Sequence, residues 1–245
     1  MIRTIEELSM NAWPALQTLH YDGWVLRFAA GYTRRANSVY PLYPSRIDLD
    51  EKIKSCEFLY QARYLPAVFK LTETSTPEAL DACLDEHGYR VDSLTSVQLL
   101  DLHRERFKTD RDVELADMET EAWHQAFARM NNVSPEHRAA HEDILRAIQP
   151  EKCCVAVYAG NRIIGCALGV LQSNYLGIFD VVIDPDYRGQ GMGTNLMLAL
   201  LAWGQGRGAA LAYLQVMHDN GPAMSLYKKI GFQEKYRYWY RIYEP

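Results

Sequence analysis

The stretch "DPDYRGQGMGTNLMLALL", residues 184–201, places Gly189, Gly191 and Gly193 directly before a run of apolar residues. The apolar run predicts a helix that begins near Gly191, and the preceding "YLGIFDVVID" (175–184) is typical of a buried strand. The first turn of a helix has backbone N–H groups without intrahelical partners, and the helix dipole favours an anion there. Glycine leaves such amides open to a ligand and accepts a tight turn. The stretch therefore predicts a site for a phosphate-bearing ligand.

Two better-known phosphate loops do not fit this stretch. The Walker form requires GxxxxGK[ST], and no lysine follows the glycines here. The dinucleotide form GxGxxG requires a third glycine at the position that Thr194 occupies. A second cluster, Gly204, Gly206 and Gly208, lies past the predicted helix, where glycine is typical of helix ends and loops. The phosphate site is therefore predicted only at the start of this helix.

Strands and helices alternate along the chain, which predicts an α/β fold with a mixed sheet and helices on its faces. "GWVLRF" (23–28) and "RANSVYPLY" (35–43) predict a strand hairpin, and the apolar runs between 153 and 184 predict three successive strands. The charge-rich "HRERFKTDRD" (103–112) is typical of a linker. We therefore expect an N-terminal domain over residues 1–105 and a second domain over residues 110–245.

A weak internal repeat relates the two halves. "ACLDEHGYRVDSL" (82–94) resembles "SLYKKIGFQEKYR" (225–237), since each predicts a helix, then a glycine, an aromatic residue and a strand. The halves diverge where the ligand is predicted. The N-terminal helix that corresponds to the glycine-led helix follows "YPSRIDLDE" (43–51), which contains no glycine. The phosphate site is therefore expected in the second half alone.

Composition excludes several classes of function. The net charge of −5 provides no basic surface for a nucleic-acid backbone. No apolar run of about 18 residues and no leader pattern occur, so we expect a cytoplasmic protein without a membrane partner. The five cysteines include no CxxC pair and the seven histidines have no HExxH or HxH spacing, so we expect neither disulfides nor a metal site.

"VVIDPDYRGQGMGTNLMLALL" (181–201), followed by "LAYLQVMHDNGPAMSLYKKIGF" (211–232), resembles the acetyl-CoA-binding core of the GNAT superfamily of N-acetyltransferases. The resemblance covers roughly residues 113–245, and the N-terminal half resembles a degenerate GNAT-like half, as in tandem members. It implies a mixed sheet whose fourth and fifth strands diverge, with the pantetheine arm of acetyl-CoA in the gap.

The resemblance also implies which residues contact the cofactor. The arm would bond to the backbone of the fourth strand, the pyrophosphate would lie on the amides of 189–194, Asn220 would contact the arm, and Tyr227 would stand near the sulfur. The implied cofactor-binding residues are Val181, Val182, Ile183, Arg188, Gly189, Gln190, Gly191, Met192, Gly193, Thr194, Asn220 and Tyr227.

Acetyl transfer to an amine requires a neutral amine, a polarised thioester carbonyl and a proton for the departing thiolate. The backbone amides near Val181 and Val182 suit the oxyanion. Tyr227 is the candidate proton donor, and Leu84 takes its place in the N-terminal repeat, so that half is predicted to be inactive. Leu84 and Tyr227 are thus a second point of divergence.

The sequence does not identify one residue as the general base. The strand position at which some family members carry a catalytic Glu falls on Gly177, so that role does not transfer. Asp180 is the candidate, although strand alternation would turn it away from the thioester. Gln215 is suited only to hold a water, and His218 is either a titrating group or a solvated loop residue.

The sequence gives only weak signals for the site that binds the acceptor amine. Trp24, Arg34, Arg35 and Asn37 either line an acceptor pocket between the halves or belong to a solvated hairpin. The C-terminal "YRYWYRIY" (236–243) fits an acceptor border, an edge strand or a homodimer contact. We predict an acetyl-CoA-dependent N-acetyltransferase that acts on a small primary amine by direct attack in a ternary complex. A protein or peptide acetyltransferase and a non-catalytic acyl-CoA-binding regulator are the alternatives.

Overall fold

The computed structural model describes residues 1–104, 106–108, 113–116 and 119–243. Its N-terminal half contains α1 (Ile2–Ala12), β1 (Gln17–Tyr21), β2 (Trp24–Phe28), β3 (Val39–Tyr40), α2 (Leu49–Gln61), β4 (Val68–Thr72), α3 (Leu80–Glu86) and β5 (Arg90–Asp101). Its C-terminal half contains β6 (Val113–Ala116), α4 (Glu121–Met130), α5 (Pro135–Ala147), β7 (Glu151–Ala159), β8 (Arg162–Gln172), β9 (Tyr175–Ile183), α6 (Met192–Gly206), β10 (Leu211–Met217), α7 (Gly221–Ile230) and β11 (Gln233–Ile242).

The described strands form one continuous sheet in the order β1-β2-β3-β4-β11-β5-β10-β9-β8-β7-β6. The closing strand of each half lies against the other half: β11 pairs with β4, and β5 pairs with β10. The two exchanged strands also pair with each other, antiparallel, at the centre of the sheet. The two halves of the sheet are thus arranged with approximate twofold symmetry, in which β4 corresponds to β10 and β3 to β9.

The fold agrees with the α/β architecture expected from the sequence. Strands β2 and β3 pair antiparallel, as the predicted hairpin requires, and β1 is an additional strand in front of them. The predicted linker at 103–112 lies largely outside the described residues. The domain limits 1–105 and 110–245 therefore stay predictions, and the sheet extends across both ranges.

Helices cover both faces of the sheet because several of its strands are buried on both sides. Strand β8, "RIIGCALGVLQ", is buried over almost its whole length. On one face of the C-terminal half, α6 and α7 cover β7 to β10. On the other face, α1, α4 and α5 contribute Trp13, Trp123, Phe127 and Ile144 to a second core. The α2 and α3 helices cover the N-terminal strands.

A buried ionic group joins the two halves. Lys70 of β4 lies 2.6 Å from Glu6 of α1, and both side chains are about 1% exposed. Burial alone would lower the pKa of Lys70, but the adjacent Glu6 carboxylate raises it above its usual value. Glu6 also accepts a 2.6 Å hydrogen bond from the hydroxyl of Tyr236 on β11. The exchanged strand is thereby fixed to the N-terminal half.

Among the described residues, no helix combines the length and the apolar character that a membrane crossing requires.

Candidate active site

Strands β9 and β10 diverge at the centre of the sheet. Their parallel pairing covers Tyr175–Ile178 and Leu211–Leu214, after which both strands continue without pairing to each other. A register shift against β8 begins at the same place, and Asp180 within it has a φ of 52°. Such a bulge bends a strand and opens it from its neighbour. On the side of β10, the backbone of residues 179–183 therefore faces a gap, while on the other side β9 still pairs with β8.

A cavity of about 480 Å³ occupies this gap. Helix α7 lines one part of its wall with Asn220, Ala223 and Tyr227. The N-terminal half lines another part through the turn that carries Arg34 and Arg35. The rest of the wall comes from the sheet and α4, and includes Ser93, Thr95, Phe127, Asn131, Phe179, Asp180, Val181, Gln215, Tyr238 and Tyr240. The cavity is thus built by both halves.

The glycine stretch forms an open helix end beside the gap. Gly191 precedes α6 in the left-handed conformation with a φ of 84°, and no side chain caps the helix. The helical ladder begins with the bond from the Asn195 amide to the Gly191 carbonyl, so the amides of 192–194 precede it. The Arg188 side chain donates to the carbonyl of Ile183, which ties the loop to β9. This helix start suits a phosphate group.

Glycine suits these three positions for two different reasons. Gly189 and Gly191 have φ values of 75° and 84°, which other residues adopt with strain. A Cβ atom at Gly193 would lie 3.2 Å from the side chain of Leu226 on α7. The loop therefore depends on glycine for its backbone path, and the helix depends on it for its approach to α7.

Side chains of the diverging part of β9 point to different faces. Val181 and Ile183 pack against the core under α6 and α7, and Val181 lines the cavity. Val182 belongs to the core on the opposite face. Only the backbone of Val182 is therefore available on the cofactor side.

Tyr227 lies between the α6–α7 core and the cavity. It is 7% exposed and packs against Phe232. Burial raises the pKa of Tyr227 to about 12. No described residue shares a hydrogen bond with its hydroxyl group. A neutral phenol with a free proton donor therefore borders the gap.

Asn220 begins α7. Its side-chain oxygen accepts a hydrogen bond from the amide of Ala223 at 3.2 Å, which caps the helix. Asn220 also lines the cavity, where the amide nitrogen of its side chain is left for a ligand. The residue predicted to contact the cofactor is thus also a helix cap.

Asp180 is paired with a histidine that the sequence did not single out. Its Oδ2 lies 3.0 Å from Nε2 of His141 on α5, and both side chains are at most 5% exposed. The His141 ring stacks on Phe127, with ring centroids 4.3 Å apart. Asp180 lines the cavity and His141 does not. Asp180 is therefore the member of the pair that borders the cavity.

The bulge explains why strand alternation is a poor guide to Asp180. Phe179 stacks on Trp13, in the core that α1, α4 and α5 cover. Asp180 bonds to His141 of α5 on that same face. Two consecutive residues thus point to one face, because the bulge interrupts the alternation.

Gln215, predicted to hold a water, and His218, a candidate titrating group, both lie in β10 or just after it. Gln215 donates to the Ser9 hydroxyl at 2.9 Å and accepts from Tyr238 at 3.2 Å, so a fixed network holds it in the cavity wall. His218 is exposed and does not line the cavity. At Gly177, a Cβ atom would lie 2.6 Å from the hydroxyl oxygen of Tyr213, so that ring fills the space a longer side chain would need.

The predicted acceptor residues divide into two groups. Arg34 and Arg35 line the cavity. Trp24 does not, since it is fully buried and donates to the carbonyl of Thr76. Asn37 holds the adjoining turn instead, because it accepts from the amides of Ala29 and Gly31 and donates to nearby carbonyls. Of the C-terminal aromatic residues, Tyr238 and Tyr240 line the cavity.

A group of potential metal ligands lies in the N-terminal half, away from the cavity. Asp50 Oδ1 is 3.4 Å from Cys83 Sγ and 3.6 Å from His87 Nε2. The sequence did not reveal this group, since two helices bring it together. Burial raises the pKa of the Cys83 thiol to about 11, so the thiol stays protonated near neutral pH. A protonated thiol is a poor metal ligand.

The whole chain has relatives of one kind. A family model described as "Probable histone acetyltransferase Rv0428c C-terminal" matches residues 1–241. The "Uncharacterized N-acetyltransferase YobR" of Bacillus subtilis is 30% identical over 98% of each chain.

Solved structures share the fold over the same length. A GCN5-related N-acetyltransferase from Kribbella flavida has a TM-score of 0.73 at 16% identity, covering 99% of this chain and 95% of its own. A tandem GNAT protein from the clavulanic acid biosynthesis pathway has a TM-score of 0.63 at 13% identity, covering 98% and 87%. These matches confirm the GNAT resemblance and the expected fold class. The chain belongs to the family of the Rv0428c C-terminal region and is a GNAT acetyltransferase that uses acetyl-CoA.

Proposed function

We propose that this protein transfers the acetyl group of acetyl-CoA to the primary amine of a small molecule, by direct attack while both substrates are bound. The observation that carries the proposal is one cavity of about 480 Å³ with Tyr227 on one part of its wall and Asp180 on another. A volume of this size is typical of small-molecule sites. Both residues border the gap in which β9 and β10 no longer pair.

The start of α6 supports the cofactor part of the proposal. The amides of residues 189–194 bind the pyrophosphate of acetyl-CoA, since they precede the helical ladder and no side chain caps them. The backbone at Val181 and Ile183, on the side where β9 no longer pairs with β10, bonds to the pantetheine arm, and Asn220 contacts the same arm. This arrangement directs the thioester into the cavity.

The side chains of the cavity suit both proton transfers. An alkyl amine has a pKa near ~10.4 and must lose a proton before it attacks. Asp180 accepts that proton through the carboxylate oxygen that His141 does not bind. The amine nitrogen then bonds to the acetyl carbon, the carbon–sulfur bond breaks, and Tyr227 donates its proton to the sulfur. The second proton of the attacking nitrogen leaves through water and returns to the Tyr227 phenolate, which gives the neutral amide and the free thiol. Backbone amides near Val181 and Val182 stabilise the oxyanion formed on the way.

A protein or peptide acceptor is the second candidate. The family description names a probable histone acetyltransferase, and that name is the observation in its favour. A cavity walled by both halves of the chain favours the small amine instead, because an extended peptide needs an open groove.

A thiol-release assay with acetyl-CoA tests the proposal. The acceptors are a panel of small primary amines and a set of peptides with free N-termini and lysines. We expect turnover with small amines and a loss of about 10²- to 10⁴-fold in kcat for Asp180→Asn, the range for a positioned base. His218→Ala is the control, and we expect it to behave as wild type.

Three results would contradict parts of the proposal. Preference for peptides over every small amine would favour the protein acetyltransferase. Acetyl-CoA binding without turnover on any acceptor would indicate a regulator. An unchanged kcat in Asp180→Asn would leave the acetyltransferase in place and remove Asp180 as its base.

A further inference from the structure

The cavity wall contains a cation that lies over two aromatic rings. Arg35 lines the cavity and is half-buried. Its guanidinium lies over the rings of Trp13 and Phe179, at 4.9 Å and 5.7 Å from their centroids. In the part of the chain that the structure describes, no acidic side chain forms an ion pair with it. The neighbouring Arg34, by contrast, lies 2.6 Å from Asp92.

A partly buried charge without a partner is unfavourable unless something compensates for the lost water. The aromatic faces supply part of this compensation, since cations interact favourably with ring faces. They do not use the N–H donors of the guanidinium edge. Those donors match the two oxygens of an anionic group. Arg35 is therefore suited to an anion that enters the cavity.

Buried polar side chains hold Arg35 in place. The fully buried Arg27 donates to the Arg35 carbonyl at 2.5 Å, and the Tyr40 hydroxyl donates to the same oxygen at 2.8 Å. Arg27 also donates to the carbonyl of Trp13, which supports the ring beneath the Arg35 guanidinium. These hydrogen bonds fix the backbone from which the Arg35 side chain extends over the two rings, and a supported backbone is what a binding site requires.

The same cavity displays a carboxylate, Asp180, for the amine. The Arg35 guanidinium lies 5.7 Å from the ring centroid of Phe179, the residue that precedes Asp180, and all three residues line the cavity. Asp180 and Arg35 are thus close enough to act on one small molecule. Building on the function proposed above, we infer that the acceptor is a small amine that also carries a carboxylate or phosphate group, and that Arg35 binds this group.

Matched pairs of acceptors test this inference in the full-length enzyme. Phenylalanine is compared with phenethylamine, lysine with cadaverine, and both serine and phosphoethanolamine with ethanolamine. We expect kcat/KM to be about ten- to a hundredfold higher for the anionic member, the contribution of a hydrogen bond to a charged group. Serine and phosphoethanolamine distinguish a carboxylate from a phosphate.

Variants assign the preference to the residue. We expect Arg35→Gln to lower kcat/KM for the anionic acceptors by about tenfold or more and to leave the neutral amines within about twofold. Arg35→Lys should retain part of the preference, because it keeps the charge without the planar fork. Arg63→Gln is the control, since Arg63 stacks on Phe28 outside the cavity.

Failure of this inference differs from failure of the proposed function. Equal turnover of neutral and anionic amines, or an equal loss on both in Arg35→Gln, overturns the inference and leaves the small-amine acetyltransferase standing. If acetyl-CoA binds and no amine of either kind is acetylated, both are wrong.

Discussion

The two halves begin their corresponding helices in opposite ways. Helix α2 follows Asp48, whose carboxylate accepts from the amides of Asp50 and Glu51 at 3.1 and 3.2 Å. Helix α6 follows Gly191 and has no side-chain cap. In the first half a carboxylate of the protein already occupies the helix end, and further acidic residues surround it. One fold thus offers an anion site in one copy and closes it in the other.

A second pair of positions shows the same divergence. Leu84 of α3 is fully buried in the N-terminal core. Tyr227, at the matching place on α7, borders the cavity. Gly88 and Gly231 follow the two helices with φ values of 83° and 109°, so the helix ends have stayed alike. Backbone geometry has thus been retained in both halves, and the proposed chemistry has been retained in one.

The largest effect is expected from closing the open helix end. In the double variant Gly191→Val, Gly193→Val we expect acetyl-CoA affinity to fall at least about a hundredfold, because two amide hydrogen bonds to charged oxygens contribute roughly 3 kcal/mol or more. Isothermal titration measures the change. Gly206→Ala at the far end of α6 is the control. Unchanged affinity in a folded double variant would show that the start of α6, like the start of α2, does not bind phosphate.

The next effect concerns the connection between the halves. Lys70→Met leaves the Glu6 carboxylate buried without its cation, and we expect it to lower the free energy of unfolding by about 3–5 kcal/mol. Thermal unfolding should show a single transition. The exposed Arg146→Ala is the control and should cost at most about 1 kcal/mol. Two separate transitions would indicate that the halves are independent despite the exchanged strands.

Tyr227→Phe makes the second half, which we propose to be catalytic, more like the first. We expect kcat to fall about a hundredfold, the lower end of the contribution of a positioned acid. Because burial raises the pKa of Tyr227 to about 12, the phenol stays protonated at pH 10, where an ordinary tyrosine is half ionised. The ratio of wild-type to variant kcat should therefore be constant from pH 7 to 10. A ratio that declines over this range would show that the tyrosine ionises earlier or is not the acid.

The smallest effect is expected from opening the closed helix end. Asp48→Ala removes the cap of α2 and should lower the free energy of unfolding by about 1 kcal/mol. We expect no second acetyl-CoA site in titration calorimetry, because Asp50 and Glu51 still repel phosphate there. A stoichiometry of two would mean that Asp48 alone separates the halves.

The sequence was informative where local chemistry determines the structure. The glycines before α6, the apolar strands β7 to β9 and the glycine after α7 each carry their own signal, and the structure places these elements as predicted. The internal repeat indicated two related halves. It gave no sign that β5 and β11 exchange places, because strand order depends on contacts between distant parts of the chain.

The sequence predicted only some of the residues of the candidate site. Arg34, Arg35, Asp180 and Tyr227 all line the cavity. His141 was missed because it is an isolated histidine on an amphipathic helix, and only the fold brings it to Asp180. The direction of Asp180 was missed because a bulge has no clear sequence signal on an apolar strand.

The exchange of β5 and β11 has a consequence for the N-terminal half, in which we expect no cofactor site. Its last strand, β5, pairs with β10 of the other half, and Ser93 and Thr95 of β5 line the cavity. A deletion in the N-terminal half would therefore remove part of the cavity wall. A half that binds no ligand of its own can thus still be required, because it builds part of the cavity used by the other half.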